Sequence, residues 1–327
     1  MHKLTKLFLA VICSLAVMTI GQVQATTRSV FDALGNKVQV PVEPKKVVAL
    51  SEIDYDSTLA LRIAPSATIR GRGQGDIPRY LKPIAKQLDS SMELSIVGDI
   101  GRPNLEKIIE LQPDLIITSQ QRPGVMKQLS LIAPTVVTAK RGESWREIFA
   151  RIATVLNRES EAGLFLEQYH QRLEDVKTNL KNSKNSTVSI VRWNPKGPAY
   201  MFNDSFASLI VRDLKLQRPK VQQQKGYHHS RPLSLEALHQ IDADWIFLGT
   251  LDGTGDAVDA MQVARNSEPF KQLKASRQNQ VIPVDGSLWT SVGGPLAALQ
   301  VLKDIEQAML KRSEQPAENL QSASIKK

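Results

Sequence analysis

Between residues 159 and 182 the apolar side chains Ala162, Phe165, Leu166, Tyr169, Leu173, Val176 and Leu180 return at intervals of three and four, the period of an α-helix. A helix of that length runs about 36 Å, the width of a whole domain. It ends in the polar, turn-forming run Lys181-Asn182-Ser183-Lys184-Asn185-Ser186. This rod interrupts the rhythm of short strands and helices, which restarts after it. The chain has 327 residues, more than a single core usually organises, which agrees with two lobes.

Both flanks of the rod alternate short apolar runs with helical segments. On the first side, Lys46 to Leu50 and Asp114 to Thr118 read as buried strands, with another at Thr135 to Thr138. Helices are expected from Asp54 to Leu61 and, capped by Asn104 and stopped by Pro113, from Leu105 to Leu111. On the second side, strands are expected at Thr187 to Arg192, Asp244 to Leu248 and Val281 to Val284. Helices are expected at Phe206 to Leu214, Leu235 to Gln240 and from Pro295 to Lys311. Strands that alternate with helices form parallel sheets covered by helices. The expected fold is therefore α/β, with two lobes built on mostly parallel sheets and one long backbone helix between them. The lobes are placed at 26–157 and 184–312, the helix at 158–183.

The first 25 residues stand apart. Lys3 and Lys6 precede an apolar run from Leu7 to Ile20, and Val23-Gln24-Ala25 closes it with small residues. This is the pattern of a secretory signal peptide cleaved after Ala25. Its apolar core is too short to span a bilayer. Cys13, the single cysteine, lies within it behind Ile12, which is too large for a lipoprotein acylation site. The exported chain then holds no thiol, which excludes disulfides, thiolate catalysis and Cys-ligated metals. Residues 313–327 have little to bury and are expected to be disordered. Removing the leader takes the net charge from +9 to +7, with Lys and Arg scattered rather than clustered, so neither nucleic acid nor a membrane surface is the expected partner.

The two halves share a plan. Asn104-Leu105-Glu106-Lys107-Ile108 leads to Pro113-Asp114-Leu115-Ile116-Ile117, and Ser234-Leu235-Glu236-Ala237-Leu238 leads to Ala243-Asp244-Trp245-Ile246-Phe247. Two such lobes describe a bilobal binding protein with its ligand at the carboxyl ends of the strands. With Phe31 to Lys37, Pro41 to Leu50, Val97-Gly98, Ile132 to Thr135 and Trp289 before Gly294-Pro295, these segments resemble the substrate-binding proteins of ABC importers for ferric siderophores, haem and cobalamin. The resemblance covers about residues 29 to 312. It implies a shallow cleft with little closure, an exported periplasmic monomer, a ferric siderophore as ligand and an inner-membrane permease as partner. It also implies that Glu106 and Glu236 dock into arginine pockets of that permease, on a face expected to point away from the cleft.

Candidate ligand contacts are polar and aromatic residues where strands give way to loops. They are Arg70 and Arg72 in a Gly-rich loop, Arg102, Arg122, Arg192, Trp193, Tyr200 and Trp289, with Arg218, Tyr227, His229 and Arg231 in a later polar loop. Guanidinium forks suit the oxygen shells of anionic chelates, and rings pack on their apolar parts. Gly71 to Asp76 lacks the Lys-Ser/Thr ending of a phosphate loop. His228, His229 and His239 make no ligand set, so no metal is bound directly and iron arrives within its chelator. No cofactor is expected. With no Gly-x-Ser-x-Gly elbow and no paired carboxylates, the chain is not read as an enzyme, and a secreted α/β enzyme is the weaker alternative. A haem or cobalamin carrier is the nearer one, kept open by Tyr227, His228 and His229.

Overall fold

The computed structural model describes residues 26–88, 94–226, 229–291 and 293–313, without the side chains of 311–313. The leader and the stretch after Ser313 lie outside the described residues. A hairpin of β1 (Thr27–Phe31) and β2 (Lys37–Pro41) comes first. Then β3 (Val47–Ala49), β4 (Ala67–Thr68), β5 (Ser95–Ile96), β8 (Leu115–Ser119) and β9 (Thr135–Ala139) form one all-parallel sheet in the order β5-β4-β3-β8-β9. The short β6 (Gly98–Asp99) and β7 (Arg102–Pro103) pair beside it. The uninterrupted apolar runs in β3 and β8 suit strands covered on both faces.

The second sheet has the order β11-β10-β12-β13. Here β10 (Val188–Asn194), β12 (Trp245–Thr250) and β13 (Val281–Pro283) are parallel, and β11 (Gly197–Tyr200) is antiparallel to β10. The helix between the two sheets runs Glu159–Asn179, with a 3-10 turn at Lys181–Ser183. It buries Ala162, Tyr169, Leu173 and Val176, the stripe its periodicity predicts. The second glutamate segment, Leu235–Ile241, is a 3-10 helix rather than an α-helix. It has to reach from Leu233, bonded to Pro198 opposite the end of β10, to the start of β12. The 3-10 spiral rises about 2 Å per residue against about 1.5 Å for the α form, and so spans more with seven residues.

One hydrophobic cluster runs unbroken beneath both sheets, from Val47, Ile53 and Leu115 through Trp145 and Tyr169 to Val188, Phe247, Trp289 and Val301. The 159–179 helix is therefore not the sole joint. The C-terminal helix Pro295–Ser313 packs against Glu52–Ala60 of the first half, the 159–179 helix, and Phe206–Asp213 of the second. Its N-terminus is held by Asp56, a fully buried residue of the first half, whose carboxylate accepts from the amides of Leu296 (2.8 Å) and Ala297 (2.9 Å) and from the Tyr80 hydroxyl (2.7 Å). A carboxylate at a helix N-terminus satisfies donors that have no partner inside the helix. Burial pushes the Asp56 carboxyl up to about 6 in spite of those donors. Gln74 donates to the Ser287 hydroxyl (2.6 Å) and Arg79 pairs with Asp285 (2.9 Å), a second bridge between the halves. Many cross-contacts of this kind leave little freedom for hinge motion.

Candidate functional site

A cleft of about 520 Å³ opens where the two sheets face each other. Its first wall is made by residues at or just beyond the carboxyl ends of the first sheet's strands: Ser51 and Glu52 after β3, Ser119 ending β8 with Gln120 after it, and Lys140 to Glu143 after β9. The second wall carries Arg192 of β10, Asp204 to Phe206, and Thr290 with Ser291. The position follows the general rule for parallel sheets, whose carboxyl ends gather loops and converging amide dipoles.

The lining carries four cations, Arg72, Lys140, Arg141 and Arg192, against three acids, Glu52, Glu143 and Asp204. Arg72, Lys140 and Arg141 line the cleft from the first half and Arg192 from the second. Among the described residues, none of these four forms an ion pair with a carboxylate. Arg192 is 7% exposed and its buried Nε has no hydrogen-bond partner. Burial, and then repulsion from Arg72, lowers the affinity of its guanidinium for the proton. The acids of the lining are already engaged. Glu52 accepts from the Arg72 amide (2.6 Å), and burial raises its carboxyl. Both Glu143 oxygens bond to Arg151 (2.6 and 3.0 Å), and Asp204 accepts from the Gly226 amide (2.8 Å). Below the floor, fully buried Asp54 accepts from the hydroxyls of Ser51 and Thr138 and from the Ser119 amide, and burial pushes it up to about 6. This network fixes the ends of three strands that shape the first wall.

The sequence candidates divide sharply. Arg72, Arg192 and His229 line the cleft. Arg70 and Arg102 stand with Arg72 on a shallower shelf that adjoins it, Arg70 paired with Asp99 at 2.8 and 3.1 Å. Trp193 and Tyr200 are buried on the opposite face of their sheet, Trp193 against Phe270 and Tyr200 against Phe202. Period-two alternation explains the split, because consecutive residues Arg192 and Trp193 cannot face one way in a strand. Trp289 is fully buried, stacks on Phe247 at 4.5 Å and donates its Nε1 to Asp304 (2.9 Å). Arg218 is buried too, donating to the Ser208 hydroxyl, the Met201 carbonyl (2.8 Å) and the Gln222 side chain (2.8 Å). Arg122 and Arg231 are exposed outside the cleft lining, and Tyr227 lies outside the described residues.

Glu106 and Glu236 are both exposed, each in the first turn of its segment. Their placement corrects the expectation that they point away from the cleft. The cap residue Asn104 donates its amide to Val97, just beyond the carboxyl end of β5, and Leu233 is tied to Pro198 opposite the carboxyl end of β10. A helix returning antiparallel to its strands begins at their carboxyl ends, so both glutamates sit at the end of the molecule where the cleft opens. Sequence reasoning missed the lining cations Lys140 and Arg141 and the lining acids Glu52, Glu143 and Asp204. The two cations directly follow β9, much as Arg122 stands shortly after β8. The neighbouring helix Trp145–Leu156 was also missed, although Ser144 and Glu147 spell its capping box.

Among the described residues, no group of three or more His, Cys, Asp or Glu is placed to hold a metal, and no helix is long and apolar enough to cross a membrane. Residues 75–288 match the family model described as periplasmic binding protein. The chain is 31% identical over 293 residues to the probable siderophore-binding lipoprotein YfiY of Bacillus subtilis, covering 87% of this chain and 88% of that one. It is 29% identical over 283 residues to the Fe(3+)-citrate-binding protein YfmC of the same organism, covering 85% of each. Among solved structures, Staphylococcus aureus SirA complexed with staphyloferrin B superposes with a TM-score of 0.73 at 26% identity, over 86% of this chain and 98% of SirA.

Proposed function

This chain belongs to the periplasmic binding protein family, and we propose that it captures a ferric siderophore in the cleft and delivers it to the permease of an ABC importer. The observation that carries this reading is the pair Arg72 and Arg192. Two guanidinium groups from opposite halves line one cleft, neither forms an ion pair with a carboxylate among the described residues, and one of them is buried. An unpaired buried cation costs free energy in the empty protein. An anionic chelate would offset that cost on binding. The names of the relatives, a siderophore-binding lipoprotein and an Fe(3+)-citrate-binding protein, support the same ligand. Proteins of this family are binding components rather than enzymes, and catalysis forms no part of the proposed role.

In this reading the halves 26–157 and 184–312 are two lobes and 158–183 the strut between them. The leader is removed after Ala25, and a monomer works in the periplasm. The ligand residues are Arg72, Arg192 and His229, with Arg70 and Arg102 on the adjoining shelf and Lys140 and Arg141 added. Glu106 and Glu236 meet the permease, and because they sit at the cleft mouth, docking turns the opening toward the membrane. A haem or cobalamin carrier fits less well, since the aromatic rings of the lining, Trp145 and Phe206, are buried and offer no open face to a flat macrocycle.

Native mass spectrometry of the protein exported by iron-starved cells should show a ferric chelate released on denaturation. Fluorescence of Trp145, which borders the cleft, should quench when that chelate is added back. Tight binding of haemin, with no response to ferric hydroxamates, catecholates or carboxylates, would overturn the proposal.

A further inference from the structure

Resting on the ferric siderophore reading, we infer that the cleft is built for a carboxylate-type ferric chelate, one with free or iron-bound hydroxycarboxylate arms, rather than for a hydroxamate or a catecholate. Three features of the lining separate these classes. The first is charge. Three singly charged hydroxamates cancel the charge of Fe(3+) and leave a neutral complex, which gains little from Arg72, Lys140, Arg141 and Arg192. The second is the want of open aromatic surface. Trp145 is 2% exposed and packs edge-on against Tyr169, and the Phe206 ring is covered by Gly293, where an added Cβ would stand 2.5 Å from it. The rings of a ferric tricatecholate, a trianion that the cations would also attract, would find nothing to stack on.

The third feature is the set of donors left over. Arg192 Nε, Trp145 Nε1 and the Ser291 hydroxyl are buried without hydrogen-bond partners, and all three residues line the cleft. Buried polar groups are rarely left without a partner, and a small reorientation of these side chains toward an entering ligand would give their donors acceptor atoms. Carboxylate oxygens supply them, two per group, in the fork geometry a guanidinium matches. On the adjoining shelf Arg70 is already paired with Asp99, and Arg72 and Arg102, which form no ion pair among the described residues, are the cations there for a second carboxylate arm.

The test is a titration of the purified protein with four probes: ferric citrate in excess citrate, a linear ferric trihydroxamate, a ferric tricatecholate and haemin. Ferric citrate should bind at least about 100-fold more tightly than the trihydroxamate. Arg192→Lys, which keeps the charge and loses the fork, should weaken ferric citrate at least about 10-fold. Tightest binding to the trihydroxamate or the tricatecholate would overturn the carboxylate assignment and leave the siderophore reading standing. Binding of haemin alone, or of no ferric chelate, would remove both. Full citrate affinity in Arg192→Lys would overturn the recognition by the guanidinium fork.

Discussion

Replacing Asp56 tests whether the cleft walls are held together from behind. In Asp56→Ala, the Leu296 and Ala297 amides and the Tyr80 hydroxyl lose their acceptor. A buried donor left unpaired costs about 1–3 kcal/mol. Removing a buried carboxylate returns part of that, because the charge itself was expensive to desolvate. The net expectation is a loss of about 3 kcal/mol. For a protein of this size about 2–4 °C of melting temperature accompanies each kcal/mol, so the midpoint should fall by about 6–12 °C. Asp56→Asn should fall by less, keeping one acceptor oxygen while turning an amide N–H₂ toward donors. Gly294→Ala strikes the same joint from the other side, since its Cβ would lie 2.5 Å from the Asp56 Oδ1. Thermal unfolding followed by circular dichroism measures all three, and titration with the bound chelate shows whether the cleft loosens too. A midpoint within 1 °C of wild type for Asp56→Ala would refute the reasoning, because the donors would then have found water or other partners at no cost.

The remaining expectations concern other parts of the molecule. Replacing both Glu106 and Glu236 with Arg should leave chelate affinity nearly intact and abolish most iron uptake in cells, with partial loss in each single variant; normal uptake by the double variant would remove their docking role. Arg218→Met should lower stability by about 2 kcal/mol, since the Met201 carbonyl and the Gln222 side chain lose a charged donor, while a titration shows unchanged affinity. Asp54 has a folded-state carboxyl at about 6, above its ordinary value near 4, so the folded state holds its proton more tightly. Its contribution to stability is therefore full below about pH 4 and is lost as the pH rises through 6. Denaturant unfolding of wild type against Asp54→Asn across pH 4–7 should show the wild type's relative stability declining through that window; a flat difference would dismiss the shift.

The local architecture was written into the chain. Periodicity located the 159–179 helix and Asn104 marked the start of the 105–111 helix. Uninterrupted apolar runs placed β3, β8 and β12 to within two residues, because burial on both faces leaves no polar alternation to blur the signal, and β10 was placed as closely in spite of Ser189 and Arg192. Asn104 and Ser234 marked the starts of the two glutamate segments, the second of which is a 3-10 helix rather than the expected α-helix. What the sequence left open was direction. A lone Trp or Arg after a strand carries no mark of which face it takes, so Trp193, Trp289 and Arg218 looked like cleft residues until packing put them behind the sheets. The distant pairs, Asp56 with the 295–313 helix and Arg72 with Arg192, lie 120 or more positions apart and obey no local period. Only the closure of both sheets over one continuous core brings them together, and that closure turns scattered cations into a site.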